Sequence, residues 1–288
     1  MTGGGGFIGK NLLELLGGKY EIDAPNAKKL NLLDNSQVRD YFKKQNFDAV
    51  IHCAAVGSSR SKTGLAAVYN DNGKMFLNVA ENLPPAARLI FLGSGAEYGK
   101  QRAIVKVKET DFGQVKPEDE YGKAKYFVSE YILQHQNIVS LRCFGVFGKY
   151  EDYTTRFISN AICRSLAGLS IVIRQNLVFS YVYVNDLAKI ISKFIDRQPK
   201  EKFYNVGREE GVELLALAKI IQSATGGHSE IQIQHPGMGR EYTCDNTLLM
   251  GELPGFEFTS FEQAIAEMTV WYKNNWQAIN KSKLNFDV

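Results

Sequence analysis

Residues Thr2 to Gly9 read TGGGGFIG, and no other stretch restricts the fold of this chain as strongly. Glycines fall at Gly3, Gly6 and Gly9, the apolar pair Phe7 and Ile8 follows the second of them, and a helical run continues from Asn11 to Leu16. Glycine opens backbone turns closed to other residues and lets a phosphate approach the main chain. A helix that starts at such a loop turns its unpaired N–H groups and the positive end of its dipole on that phosphate. Four consecutive glycines alone would suit a flexible terminus. The ordered sequel favours a dinucleotide loop that contacts its ligand through Gly3, Gly6, Phe7 and Ile8. The spacing is G-x-x-G-x-x-G rather than G-x-G-x-x-G. Such a loop follows a buried strand, yet only Met1 precedes Thr2. Either the sheet lacks its first strand or the natural start lies upstream.

Downstream, strand and helix alternate. Gly17-Gly18 closes the first helix, and Tyr20 to Ala24 reads as a short strand broken by Pro25 and Asn26. A polar helix covers Asn35 to Gln45. Asp48 to Ala55 (DAVIHCAA) and Arg88 to Gly93 (RLIFLG) have the near-continuous apolar character of buried parallel strands. Helices are expected at Leu65–Asn82 and Tyr121–Gln136, and a strand at Ile138–Cys143. Short connections between such elements mean a parallel sheet covered on both faces. Beyond Gly148 the rhythm becomes α+β. Helices are expected at Thr154–Leu166, Asn185–Asp196 (capped by Asn185 or Asp186), Leu214–Ala224 and Ser260–Lys273. Strands are expected at Ser170–Arg174, Phe179–Tyr183, Tyr204–Val206 and Glu230–Gln234. Trp271, Tyr272 and Trp276 read as packing residues, and the final Lys-Ser-Lys tail as frayed.

The 288 residues suffice for one large or two modest domains. A net charge of +3 is too small to argue for nucleic acid or an anionic membrane. No apolar run of about 18 residues exists, and no signal peptide is visible, so the expectation is a cytoplasmic protein without membrane or nucleic-acid partners. Cys53, Cys143, Cys163 and Cys244 lack metal-ligand spacing and read as free thiols, with no metal.

Ser94, Tyr121 and Lys125 form a second constellation. Tyr121 and Lys125 stand four apart, on one helix face. A tyrosine phenol ionises near pH 10, and an adjacent ammonium would lower that value. Tyr121 could then exchange a proton with a sugar oxygen while a hydride moves at the same carbon. Ser94 ends a parallel strand, where ligands of open α/β sheets bind. Its hydroxyl would bond the same oxygen. Singly, each residue has an ordinary structural explanation; together, behind a glycine loop, they point to catalysis.

The ordered set TGGGGFIG, DAVIHCAA, GSGAEYG, Tyr121-x-x-x-Lys125, LRCFGVFG, YVYVNDLA and YNVG resembles the extended short-chain dehydrogenase/reductases, the NAD(P)-dependent epimerase/dehydratase group acting on nucleotide sugars. The likeness spans nearly the whole chain. It implies an α/β fold: a doubly wound, Rossmann-like parallel sheet with a smaller α+β C-terminal substrate lobe. Residues 1–149 would bind the dinucleotide, with 176–200 returning to them, while 150–175 and 201–288 form the lobe. Ser94, Tyr121 and Lys125 would be catalytic. Asn72 matches a family asparagine, and Ala54 and Ala55 would lie beside the cofactor. The Leu30–Asp34 stretch (LNLLD) looks closest to the GDP-fucose synthase branch, in which Asn31 and Leu32 would touch adenine. Arg240 matches an arginine that grips the sugar-nucleotide diphosphate, a role suited to a bidentate guanidinium. His52 reads as packing. Relatives pair two outer helices in a two-fold dimer. Here Met75, Val79, Phe127 and Tyr131 are available, so a homodimer is expected.

The departures narrow the chemistry. Dehydratases of the family carry Asp-Glu after the catalytic Ser/Thr, where this chain has Gly95-Ala96. The fucose synthase branch epimerises with a Cys and a His. Ala96 replaces the Cys, and no His occurs between His135 and His228. Phe179 stands for a usual Arg, and Gly145 for a usual Asn. What remains serves hydride transfer with one coupled proton. A 4-keto-sugar reductase is therefore expected first and an NDP-sugar 4-epimerase second, with a non-catalytic NAD(P) sensor on the same fold as the alternative of another class. Pro25 occupies the position where NAD enzymes place an acid, and Asn26, Lys28 and Lys29 follow. A lysine pairs with a 2′-phosphate, which favours NADP(H) over NAD(H).

Overall fold

The computed structural model describes residues 1–57 and 66–285. The first half runs α1 (Phe7–Leu16), α2 (Asn35–Phe42), β1 (Ala49–His52), α3 (Ala66–Glu81), β2 (Arg88–Ser94), β3 (Ile104–Val107), α4 (Glu120–Gln134), β4 (Ile138–Cys143) and β5 (Gly145–Phe147). The second runs α5 (Phe157–Leu166), β6 (Ile171–Asn176), β7 (Val178–Phe179), β8 (Tyr181–Tyr183), α6 (Val184–Asp196), β9 (Phe203–Val206), β10 (Val212–Glu213), α7 (Leu214–Thr225), β11 (Ile231–Met238), β12 (Tyr242–Cys244), α8 (Thr247–Glu252) and α9 (Phe261–Asn274).

The main sheet has the order β1-β2-β4-β9, all parallel. Alternation along β2 divides the core. Ile90 and Leu92 point to the face covered by α1 and α6, with Leu12, Leu16, Leu187 and Ile191. Leu89 and Phe91 point to the face covered by α2, α3 and α4, with Val38, Phe76, Val79, Val128 and Ile132. This is the doubly wound α/β arrangement. A third core joins α5, α7 and α9 to the parallel pair β6–β11, and buries Tyr272 with Trp271 and Trp276 against it. A small mixed sheet, β10-β7-β12-β3, brings segments from both halves together. Among the described residues no helix is long and apolar enough to cross a membrane.

Several expectations are corrected. The strand before the glycine loop is a single parallel bridge from Thr2 to His52, with Thr2 N–H donating to the Ile51 carbonyl at 2.9 Å. Tyr20–Ala24 is not a strand, because a one-residue bridge offers no ladder for it to extend. Gly17 caps α1 in a right-handed conformation (φ −63°). Asn185 and Asp186 lie inside the first turn of α6 rather than capping it. The buried Asp186 carboxylate instead accepts from Thr259 N and Oγ1, at 2.8 and 2.7 Å. The tail is a 3-10 turn, Lys281–Asn285, anchored by the fully buried Leu284. Met75 and Val79 are buried within the subunit, so neither is available to a partner. Leu65 lies outside the described residues.

Candidate active site

The glycine loop is shaped by contact. A Cβ at Gly3, whose φ is +70°, would stand 2.6 Å from Ala54 N, and one at Gly9 would meet the Gly3 carbonyl at 2.2 Å. Gly6 caps α1 without a side chain, and the first turn holds no acid. The first amides of α1, at Phe7 and Ile8, and its positive dipole end therefore face no carboxylate of their own helix. That arrangement fits a pyrophosphate. Ala54 N–H lies 3.4 Å from Thr2 Oγ1, whose other partner is His52 Nδ1 at 3.0 Å. His52 is buried against Phe76 and Phe91. Burial, with Lys125 nearby, lowers its pKa to about 3, so it stays neutral and packs. Asn72, on α3, clasps the end of the β1 segment by accepting from Val56 N (2.9 Å) and donating to Val56 O (3.0 Å). Ala55 is exposed beside this clasp.

Between α1 and α2, Asn26 Oδ1 accepts from Lys28 N and Lys29 N, both at 3.1 Å, in an exposed turn. Asn31 Oδ1 accepts from Leu33 N at 3.1 Å. Half-buried Leu32 gives its carbonyl to Asn78 Nδ2 at 2.7 Å. The Asp23 carboxylate accepts the Tyr41 hydroxyl.

Ser94 ends β2 and caps a 3-10 turn, Gly95–Tyr98, with Oγ accepting from Ala96 N at 3.2 Å. Tyr121 sits in the first turn of α4, which Asp119 caps through Gly122 N at 2.9 Å. Lys125, one turn on and 5% exposed, donates to the Leu92 carbonyl at 2.5 Å and lies 5.6 Å from the Tyr121 ring centroid. The fold thus brings the three residues to the carboxyl end of β2.

Their electrostatics differ from expectation. Burial raises the Tyr121 phenol to about 12, opposed by Ser94 and by the Arg156 guanidinium, not chiefly by Lys125. The reason is that Lys125 is itself buried, which lowers its pKa to about 8. Arg156 belongs to no sequence motif, and only the fold brings it to Tyr121.

The departures from the family pattern form packed units. A Cβ at Gly95 would meet the Tyr242 hydroxyl at 2.6 Å and the Phe144 ring at 2.7 Å. One at Gly145 would meet the Phe179 and Tyr181 rings, both at 2.6 Å. Glycine is needed at both positions because aromatic rings take the side-chain space. Glu97, the first acid after Ser94, is fully buried. It accepts from Ser94 N (3.1 Å), Arg142 Nε (2.9 Å) and the Ser129 hydroxyl. Arg240 is exposed and donates to the Gln101 carbonyl at 2.7 Å.

The sequence profile of the NAD dependent epimerase/dehydratase family matches residues 1–207. The chain is 24% identical to an ADP-L-glycero-D-manno-heptose-6-epimerase from Brachyspira hyodysenteriae, over 84% of this chain and 87% of that one. It superposes on a GDP-L-fucose synthetase from Naegleria fowleri bound to NADP with a TM-score of 0.79 and 18% identity, over 97% of this chain and 95% of the other. A GDP-6-OMe-4-keto-L-xylo-heptose reductase from Campylobacter jejuni gives a TM-score of 0.80 and 17% identity, over 95% and 97%.

Proposed function

The chain belongs to the NAD dependent epimerase/dehydratase family, and on that premise we propose that it is a nucleotide-sugar 4-keto reductase using NADP(H). The observation that carries the reading is at Gly95. The Tyr242 hydroxyl and the Phe144 ring occupy the space of any side chain there. Ala96 has no proton to exchange, and Glu97 is bound into Arg142 and Ser129. Dehydration and epimerisation beside a ketone each need an acid and a base in addition to the hydride carrier. The residues next to Ser94 supply neither.

Gly3, Gly6, Phe7 and Ile8 would hold the pyrophosphate, Asn31 and Leu32 the adenine, and Ala54 and Ala55 the adjoining ribose. A nicotinamide held by these residues would supply the hydride. Ser94 donates to the keto oxygen and Tyr121 delivers a proton to it, while Lys125 and Arg156 place positive charge near the phenolate left behind. Arg240 would turn from Gln101 to the diphosphate. The tie between Asp23 and Tyr41, with Lys28 and Lys29 exposed nearby, supports NADP(H) over NAD(H).

A 4-epimerase using the same three residues is the second reading, favoured by a UDP-glucose 4-epimerase from Erwinia amylovora that is 26% identical over 86% of this chain and 82% of that one. The test is incubation of a nucleoside-diphosphate 4-keto-6-deoxyhexose with NADPH in D2O. A reductase consumes NADPH stoichiometrically and leaves the carbons beside the ketone unexchanged. Tyr121→Phe should lower kcat by at least about 100-fold with cofactor affinity nearly unchanged. Wild-type turnover by that variant, or dehydration of an NDP-hexose, would sink the proposal.

A further inference from the structure

Glu97 takes no part in the proton transfers, yet its carboxylate reaches both halves of the reaction centre. Tyr121, Lys125 and Ser129 stand four residues apart on α4 and share one of its faces. Lys125 ties that face to β2 at the Leu92 carbonyl, 2.5 Å away. Ser129, fully buried, ties it to Glu97 by donating its hydroxyl to Oε2. Arg142 Nε, on β4, donates to the same oxygen at 2.9 Å. The other oxygen, Oε1, accepts from the Ser94 N–H at 3.1 Å. Gly93 makes the room: a Cβ there would stand 3.0 Å from Glu97 Oε1 and 2.5 Å from Ser140 Oγ.

We propose that Glu97 is a positioning residue that sets the distance between Ser94 and Tyr121, by holding the end of β2 from one carboxylate oxygen and α4 from the other. This rests on reading Ser94 and Tyr121 as the reaction centre. The carboxylate is itself pinned. Turning it would break a fully buried ion pair with Arg142, which is costly in apolar surroundings. A helix is stiff over the two turns from Tyr121 to Ser129, so what holds Ser129 also holds Tyr121. Lys125 and Ser129 together resist a roll of α4 on β2. Without the Ser129 hydroxyl, the hold through Lys125 remains as a single pivot, and the helix can turn about it. Proton transfer needs both hydroxyls within hydrogen-bond reach of one substrate oxygen. A small misplacement of either is therefore felt in the rate of the chemical step more than in binding.

Ser129→Ala removes the hold on α4 without removing a charge. Arg156, Glu97, Cys143, Lys125 and Lys100, the groups facing Tyr121, are the same in every serine variant. The direct readout is the ionisation of a fluorinated tyrosine placed at position 121, followed by 19F NMR in protein without sugar. Ser129→Ala should raise the ionisation pH by roughly half a unit, as the phenolate loses its alignment with Ser94. In the Ser94→Ala background the same change should move it no further. A general loss of stability would shift neither titration. In turnover with NADPH and a nucleoside-diphosphate 4-keto-6-deoxyhexose, Ser129→Ala should lower kcat about tenfold and move KM less than about twofold. Glu97→Asp keeps the charge beside Arg142 but shortens the arm by one methylene, and should lower kcat at least as much. An unmoved titration in Ser129→Ala, an equal shift with and without Ser94, or wild-type kcat in Glu97→Asp overturns the proposal. A wild-type protein that does not turn over this sugar overturns the reductase reading alone, since the titration is read without it.

Discussion

Replacing Glu97 by alanine should destabilise the chain by roughly 4 kcal/mol. Glu97 and Arg142 are both fully buried and 2.9 Å apart. Removing two ions from water is costly, and their mutual attraction offsets that cost only while both remain. Deleting the carboxylate leaves a guanidinium wedged among Phe203, Phe112 and Tyr98, at 4.3, 4.8 and 5.1 Å from the ring centroids. Its Nη2 already lacks a hydrogen-bond partner among the described residues. Breaking such a pair costs about 3–5 kcal/mol, and the hydrogen bonds to Ser94 N and Ser129 Oγ go with it. At about 2–4 °C per kcal/mol for a large domain, Tm should fall by roughly 10 °C. Urea unfolding followed by far-UV circular dichroism should give a lower midpoint at unchanged slope. The double variant Glu97→Leu/Arg142→Met should recover most of the loss, because well-packed apolar replacements of a buried ion pair are near neutral. A Glu97→Ala protein within about 1 kcal/mol of wild type, or a double variant as unstable as the sum of the singles, would refute the reasoning. Activity should fall as well. Glu97 holds up the pKa of Lys125, already about 8, so its loss leaves fewer protonated Lys125 at neutral pH.

The buried Glu151 carboxyl is raised from 4.5 to about 8, chiefly by burial. The folded state therefore favours its neutral form. The stability this contributes is complete below pH 4.5 and is lost as pH rises to about 8. Glu151→Gln should flatten that decline, by roughly 3–5 kcal/mol across the window in urea titrations. An unchanged slope would show that the carboxyl is hydrated. Lys28→Ala/Lys29→Ala should weaken NADPH binding about tenfold and leave NADH within about twofold, measured by calorimetry; equal losses would count against a 2′-phosphate contact. With Met75 and Val79 buried, a homodimer across α3 and α4 must use Phe127, Tyr131 and the exposed Leu133. Leu133→Glu should shift the light-scattering mass toward the monomer, and a monomeric wild type at micromolar concentration would dispose of the dimer.

Patterns that repeat within a few residues could be read from the chain alone. The near-continuous apolar runs at 48–55 and 88–93 supplied the parallel strands β1 (Ala49–His52) and β2, because a strand buried on both faces needs a largely apolar stretch. Tyr121 and Lys125 share a helix face because four residues make about one turn. The glycine loop was legible from spacing, since it needs backbone that no side chain obstructs. Boundaries slipped where pairing decides them: Tyr20–Ala24 has strand-like residues but no ladder to join. Partnerships across the chain were not legible. Nothing local links Tyr242 to Gly95, Arg142 to Glu97, Tyr41 to Asp23 or Arg156 to Tyr121. Each joins residues on separate elements, and which side chains meet depends on how those elements pack. The same holds for charge. Tyr121 beside Lys125 in sequence suggested a phenol made more acidic, but burial of both groups raises the tyrosine and lowers the lysine. Hydration is a property of the folded surface, and only the tertiary structure decides which groups keep it.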